Sequence, residues 1–162
     1  MFFMNDRIDD GDIIGKYKIN ISKNESIKDI LKKCDIGTLY LLKKYLHRIL
    51  SNNIKRIEQN QNLATYRRLR NNNNSIINWN DKSINIYNKI RAISDPYPGA
   101  YFIFSLKKYK VLKSKVLSEK YYNSFKNSSP GSIINTLKKN KYTFKTGDGF
   151  IIVKLKYEIK KN

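Results

Sequence analysis

Two prolines and a glycine fall within the six residues Ser94-Asp95-Pro96-Tyr97-Pro98-Gly99, and no regular element can run through them. Proline fixes φ and removes an amide donor, so helix and sheet both stop here. The hydrophobic pattern changes at the same place. Upstream, apolar residues recur at helical spacing: Ile27, Ile30, Leu31 and Cys34 predict a helix over 24–35 with Cys34 buried. Gly37 is expected to end that pattern, and a second helix over 38–51 follows with Leu39, Leu42, Tyr45, Leu46, Ile49 and Leu50 as its buried stripe. A third helix is expected over 82–93, with Ile86, Ile90 and Ile93 on one side. Downstream the period falls to two, predicting strands at 100–104, 109–117, 131–134, 142–145 and 150–159. Residues 1–21 read as loop and strand, with strand character at Ile13-Ile14 and over 17–21. The architecture expected is therefore α+β, its C-terminal part a small β-barrel of OB type.

Residues 52–79 are polar and irregular, and carry Arg67-Arg68-Leu69-Arg70 followed by four asparagines, Asn71 to Asn74. This segment reads as a linker. With 162 residues, 40% of them hydrophobic, the chain can bury a core. It contains no apolar run near the roughly 18 residues of a membrane span, and no signal peptide is expected at its N-terminus. One cysteine excludes an internal disulfide framework and offers no zinc cluster. A cytoplasmic compartment is expected, with no membrane partner.

Lysine and arginine total 33 against 13 acidic residues, a formal charge of +20. Such an excess points to a phosphate-bearing or otherwise polyanionic partner. Alanine, however, occurs only at 64, 92 and 100, while Asn, Ile, Lys and Tyr abound. These favoured residues have AT-rich codons, so a solvated lysine-rich surface is an equal reading of the charge.

Three segments in order carry a family likeness. Residues 3–14, Phe3-Met4-Asn5-Asp6-Arg7-Ile8-Asp9-Asp10-Gly11-Asp12-Ile13-Ile14, resemble the FMDEGIDTGDII segment of formyltransferases that use N10-formyltetrahydrofolate. Ala64-Thr65-Tyr66, then Arg70, Ile77 and Trp79, is similar to that family's ATY…RR…I-x-W segment. Residues 90–101, from Ile90-Arg91-Ala92-Ile93 through Pro96-Tyr97-Pro98-Gly99-Ala100, resemble its IRAL…PWPGA motif. Pro130-Gly131-Ser132-Ile133 and Thr146-Gly147-Asp148-Gly149 resemble turns of its C-terminal barrel domain.

The resemblance implies a domain plan: 1–60 as the tail of a Rossmann-like catalytic domain (a strand and two helices), 61–80 as linker, and 81–162 as the OB-like C-terminal domain. It also implies what the chain lacks. The family's Asn-x-His pair and the SLLP loop that meets folate are not in this sequence. The chain is thus expected to be inactive alone, and a separately encoded N-terminal formyltransferase half is an expected partner. No metal is implied.

Formyl transfer needs a neutral amine, a base to take its proton and donors for the tetrahedral oxyanion. The likeness aligns Asp9 with the catalytic aspartate that orients the missing histidine. It places Asp9 and Gly11 beside the folate co-substrate, where glycine permits close backbone approach. Without the likeness, Asp9 would read as a solvated turn residue, as Asp6, Asp10 and Asp12 do. His47 is the sole histidine but sits in a predicted helix, so a surface or helix-end role is expected. Arg70 and Arg91 fall in motifs flanking the acceptor side, and guanidinium forks suit phosphates. For Arg91, a structural hydrogen bond tying its helix to the Pro-Tyr-Pro-Gly turn is an equal reading. Trp79 is expected to be a packing anchor.

Two acceptors remain open. The Arg-Ala-Ile-Ser-Asp-Pro-Tyr-Pro-Gly spacing is one residue longer than the RGLNPWPG of methionyl-tRNA formyltransferases, and is similar to the RAVADPWPG form of the aminoarabinose branch. The sixteen residues from Ala64 to Trp79 suit that branch as well. The first reading is therefore a UDP-4-amino sugar, and the alternative is initiator Met-tRNA, which the positive charge favours. A non-enzymatic remnant or RNA-binding module, with Tyr109, Tyr121 and Tyr142 as stacking residues, is the third reading.

Overall fold

The computed structural model describes residues 1–118, 123–138 and 140–159. They form two compact units: Met1–Glu25 with Asp29–Leu69, and Ser26–Lys28 with Arg70–Asn162. The division between Leu69 and Arg70 falls inside the expected linker.

The C-terminal unit is built on one helix and one sheet. Helix α2 (Ser83–Ala92) buries Ile86 and Ile90, one turn apart, and Ile93 just beyond its end. The Ile93 N–H donates to the Lys89 carbonyl, and the Pro96–Gly99 turn then redirects the chain. Strands β1 (Tyr101–Phe104), β2 (Lys107–Leu117), β3 (Ile133–Lys138), β4 (Lys141–Lys145) and β5 (Phe150–Leu155) form an antiparallel sheet in the order β1-β2-β5-β4-β3. One sheet face buries Tyr109, Val111, Tyr142, Phe144, Ile151, Val153 and Leu155 together with the α2 isoleucines. Trp79 closes this core, stacked on Phe144 at 4.3 Å with its ring 6° from parallel and edge-on to Phe102 at 5.3 Å. It is the anchor the sequence predicts.

Among the described residues the strands expected of an OB-type barrel form an open sheet, with β1 and β3 at opposite edges. The outer edge of β1 is met by a different segment: Ile77 N–H donates to the Tyr101 carbonyl at 2.7 Å, beside a parallel bridge between Ile76 and Tyr101. The last strand also ends earlier than expected, at Leu155. Beyond it, the Lys156 N–H donates to the Lys110 carbonyl at 2.9 Å and the Ile159 N–H to the Tyr142 hydroxyl at 2.8 Å.

In the N-terminal unit the two expected helices are one. Helix α1 (Ile27–Leu50) runs straight through Gly37. Glycine in a helix interior costs about 1 kcal/mol relative to alanine, which does not by itself break a helix. Here the missing Cβ has a use: a Cβ at Gly37 would lie 2.6 Å from Cδ1 of the Tyr17 ring. Gly37 and Leu41 are buried, and Lys33, Tyr45 and Ile49 at the same four-residue spacing are half-buried. Cys34 lies next to this row and is exposed, contrary to the expectation of burial. The expected stripe is also largely open, with Leu39 58% and Leu50 78% exposed. The expected strands over 13–21 reduce to isolated bridges, Phe2 with Ile13 and Ile13 with Ile57.

Candidate functional site

The acidic turn of the N-terminal unit is the tip of a closed loop. Phe3 N–H donates to the Asp12 carbonyl at 2.9 Å, and Ile13 and Ile57 exchange two backbone hydrogen bonds at 2.7 and 3.1 Å. Asp9 sits at the tip, exposed, with φ +57. Aspartate tolerates this left-handed conformation better than most residues. Asp10 is turned inward, paired with Arg7 at 3.5 Å and accepting from the Gln61 amide. Gly11 is buried, and a Cβ there would stand 1.6 Å from the Phe3 carbonyl oxygen. The loop's own opposite strand therefore demands glycine at this position.

Gln59 reaches the tip from the neighbouring segment. Its Nε2 donates to the Asp9 carbonyl at 2.9 Å and to the Gly11 carbonyl at 2.7 Å. Gln59 and Gln61 also line a shallow depression of about 370 Å³. Sequence reasoning missed Gln59, because its partners lie 50 and 48 positions away. His47 is exposed in the last turn of α1, as expected.

In the C-terminal unit the structure separates the two predicted arginines. Arg70 lines a groove of about 490 Å³ with Asn71, Ser75, Ile93, Tyr97 and Pro98. Arg91 turns back on α2: its Nε donates to Asn88 Oδ1 at 2.8 Å, and its guanidinium lies 5.9 Å from the centre of the Tyr87 ring. Both contacts lie within α2 and neither is the expected bond to the Pro96–Gly99 turn.

The Thr146–Gly149 turn is a clamp on the N-terminus of α2. Lys82 supplies no side-chain cap, and the Ser83 N–H donates instead to Asp148 Oδ1 at 2.7 Å. The Ser83 and Thr146 hydroxyls share a hydrogen bond at 2.6 Å, and the Gly149 N–H donates to Thr146 Oγ1. A Cβ at Gly147 would come within 2.0 Å of the Asn80 carbonyl oxygen. Burial pushes the Asp148 carboxyl up, but hydrogen bonds from Ser83, from its own backbone and from Thr146 outweigh it. The carboxyl is held below its ordinary value of 3.8.

The face of the sheet away from the core carries an unexpected pattern. Lys113 of β2 is paired with Lys154 of β5, Lys154 with Lys141 of β4, and Lys141 with Lys138 of β3. All four are exposed. With strands about 4.8 Å apart, this row of like charges spans about 14 Å. Like charges directly opposite each other destabilise a sheet. Tyr109 and Tyr142, by contrast, are core residues at 7% and 4% exposure and are not available for stacking on bases. Tyr121 lies outside the described residues.

Residues 70–162 match the formyl transferase C-terminal domain family. The chain belongs to the formyltransferases. It is 33% identical over 160 residues to a methionyl-tRNA formyltransferase of Carboxydothermus hydrogenoformans, covering 98% of this chain and 49% of that one. It is 36% identical over 132 residues to the bifunctional polymyxin resistance protein ArnA of Wigglesworthia glossinidia brevipalpis, covering 82% of this chain and 19% of that one. Among solved formyltransferases, an N-formyltransferase of Helicobacter canadensis, in complex with folinic acid and dTDP-3-aminofucose, matches with a TM-score of 0.67 and 26% identity. That match covers 96% of this chain and 54% of that one. The chain thus spans about half the length of the methionyl-tRNA formyltransferases it matches and a fifth of ArnA.

Proposed function

We propose that this formyltransferase chain holds the acceptor in the transfer of a formyl group from N10-formyltetrahydrofolate to the amine of a UDP-4-amino sugar. The observation that carries the reading is the Arg70 groove. Its size lies in the range of small-molecule sites, and it combines a guanidinium with an aromatic ring, a proline wall and two short polar side chains. That set suits a nucleoside diphosphate: the guanidinium for phosphate, the Tyr97–Pro98 wall for the base. The likeness to an N-formyltransferase in complex with a dTDP-amino sugar supports it.

Folate supplies the formyl group and its activated carbonyl. The Asp9 turn fits such a co-substrate in that Asp9 is exposed and its carboxylate accepts no hydrogen bond from the described residues. Asp9 then orients and charges an imidazole, so that the acceptor amine can lose its proton. No Asn-x-His occurs among these residues, so in this reading that imidazole comes from an N-terminal formyltransferase half. The open apolar face of α1, with Ile36, Leu39, Leu46 and Leu50 exposed, supports a partner. We read the N-terminal unit as the tail of a Rossmann-like domain and the open sheet as an OB-like domain.

A second reading is favoured by the lysine row: the acceptor is initiator Met-tRNA, its phosphates lying along Lys113, Lys154, Lys141 and Lys138. Calorimetric titration of the chain separates the two. The first reading expects UDP and a UDP-4-amino sugar to bind, with Arg70→Ala weakening binding about tenfold or more, as loss of a charge-assisted hydrogen bond does. Nucleotide binding that ignores Arg70→Ala, together with steeply salt-dependent tRNA binding lost in Lys154→Glu, would replace it with the second.

A further inference from the structure

The amide of Gln59 donates both its hydrogens to the acidic loop, one to the residue aligned with the catalytic aspartate and one to the residue two positions on. We propose that Gln59 is the positioning residue of this site: it acts on the reaction by fixing the Asp9–Gly11 backbone and so aiming the Asp9 carboxylate. The inference rests on Asp9 being the catalytic carboxylate.

Three observations carry it. Asp9 is held at φ +57, a left-handed backbone that aspartate tolerates better than most residues but that still favours glycine, so a contact that holds it there has work to do. The loop's own backbone bonds are at its base, between Phe3 and Asp12 and between Ile13 and Ile57, and do not reach the tip. Gly11 is packed against the Phe3 carbonyl, and its own carbonyl accepts from Gln59. Gln59 is half-buried and its two acceptors are backbone carbonyls, so the bond pattern needs an NH₂ donor at this reach. Gln59→Glu keeps the length but replaces both donors with acceptors facing two carbonyls. Gln59→Asn keeps the donors but is one methylene short. Gln61 holds only the Asp10 side chain and is not equivalent.

Because Gln59 touches no reacting atom in this proposal, its effect passes entirely through Asp9. Rates are measured on the chain assembled with a formyltransferase N-terminal half, for wild type, Asp9→Asn, Gln59→Ala, Gln59→Glu and the Asp9→Asn/Gln59→Ala double variant. Gln59→Ala and Gln59→Glu should each lower kcat about tenfold or more with KM for the acceptor unchanged. The double variant should be no slower than Asp9→Asn alone, a non-additivity that a general loss of stability would not produce. Nitrogen-15 relaxation on the chain alone reads the clamp without turnover: Gln59→Ala should loosen Asp9, Asp10 and Gly11 while Ile13 and Ile57 stay rigid. Unchanged order at Asp9–Gly11, or costs that add in the double variant, would overturn the proposal. Full activity in Asp9→Asn would instead sink the catalytic reading of Asp9, and the relaxation result would still decide whether Gln59 holds the turn.

Discussion

The two units of this chain are held together by different means. The C-terminal unit has a continuous core in which Phe144, Ile151, Val153 and Leu155 are fully buried and Trp79 stacks across Phe144. In the N-terminal unit only Ile14 and Leu41 are buried hydrophobics. There the chain is shaped by backbone contacts at glycines and by single polar clamps, such as Gln59 on the acidic turn. A unit with a dense core can carry a groove and a charged sheet face at little risk. A unit with a thin core needs local devices to hold an exposed turn still, and in our proposal that turn presents the catalytic carboxylate and a partner covers the unit.

The sharpest way to break this comparison is to delete one large side chain from each unit. Phe144→Ala should destabilise the C-terminal unit by about 3–5 kcal/mol, read as a fall in its denaturant midpoint. Leu41→Ala should leave that midpoint in place and act only on α1, seen as faster amide exchange there. Equal shifts of a single shared transition would show that the units are not independent.

A smaller effect is expected at the Asp148 clamp. Asp148→Ala removes the N-terminal cap of α2 and should cost about 1 kcal/mol. Because the folded-state pKa is lowered, the carboxylate's contribution is present above 3.8 and lost as pH falls through the folded value. The gap between wild type and Asp148→Asn should therefore be widest near neutrality and close in acid. A gap that persists at pH 2 would show that charge is not the operative property.

The smallest effect concerns the lysine row. Lys154→Glu places an opposite charge between Lys113 and Lys141 and should stabilise the sheet by about 0.5 kcal/mol in low salt, and less in high salt. A loss of stability would mean that the four lysines already have a counter-charge.

Much of the C-terminal unit was legible because its signals are local. The isoleucines at four-residue spacing mark α2, and alternation marks the strands. The N-terminal unit was harder. Gly37 read as a break because glycine weakens a helix, whereas the Tyr17 ring needs the space it leaves. Cys34 read as buried because the apolar spacing alone does not say which face of α1 is covered. Asp148 stood in a recognised turn, but its role as a cap for a helix 65 residues earlier could not be read from the turn.

The sequence by itself determined that a helix precedes the Pro96–Gly99 turn and strands follow it, and which family the chain resembles, because proline, glycine and hydrophobic period act over a few residues. Only the tertiary structure decided that the sheet stays open, that four lysines fall in one row, that Arg70 lines a groove while Arg91 meets Asn88 and Tyr87 of its own helix, and that Gln59 holds the Asp9 turn. Apart from the Arg91 contacts, each of these depends on strand register or on polar groups that meet across dozens of residues. Such meetings are fixed by packing and by the need to satisfy buried backbone groups, and by nothing in the neighbouring sequence.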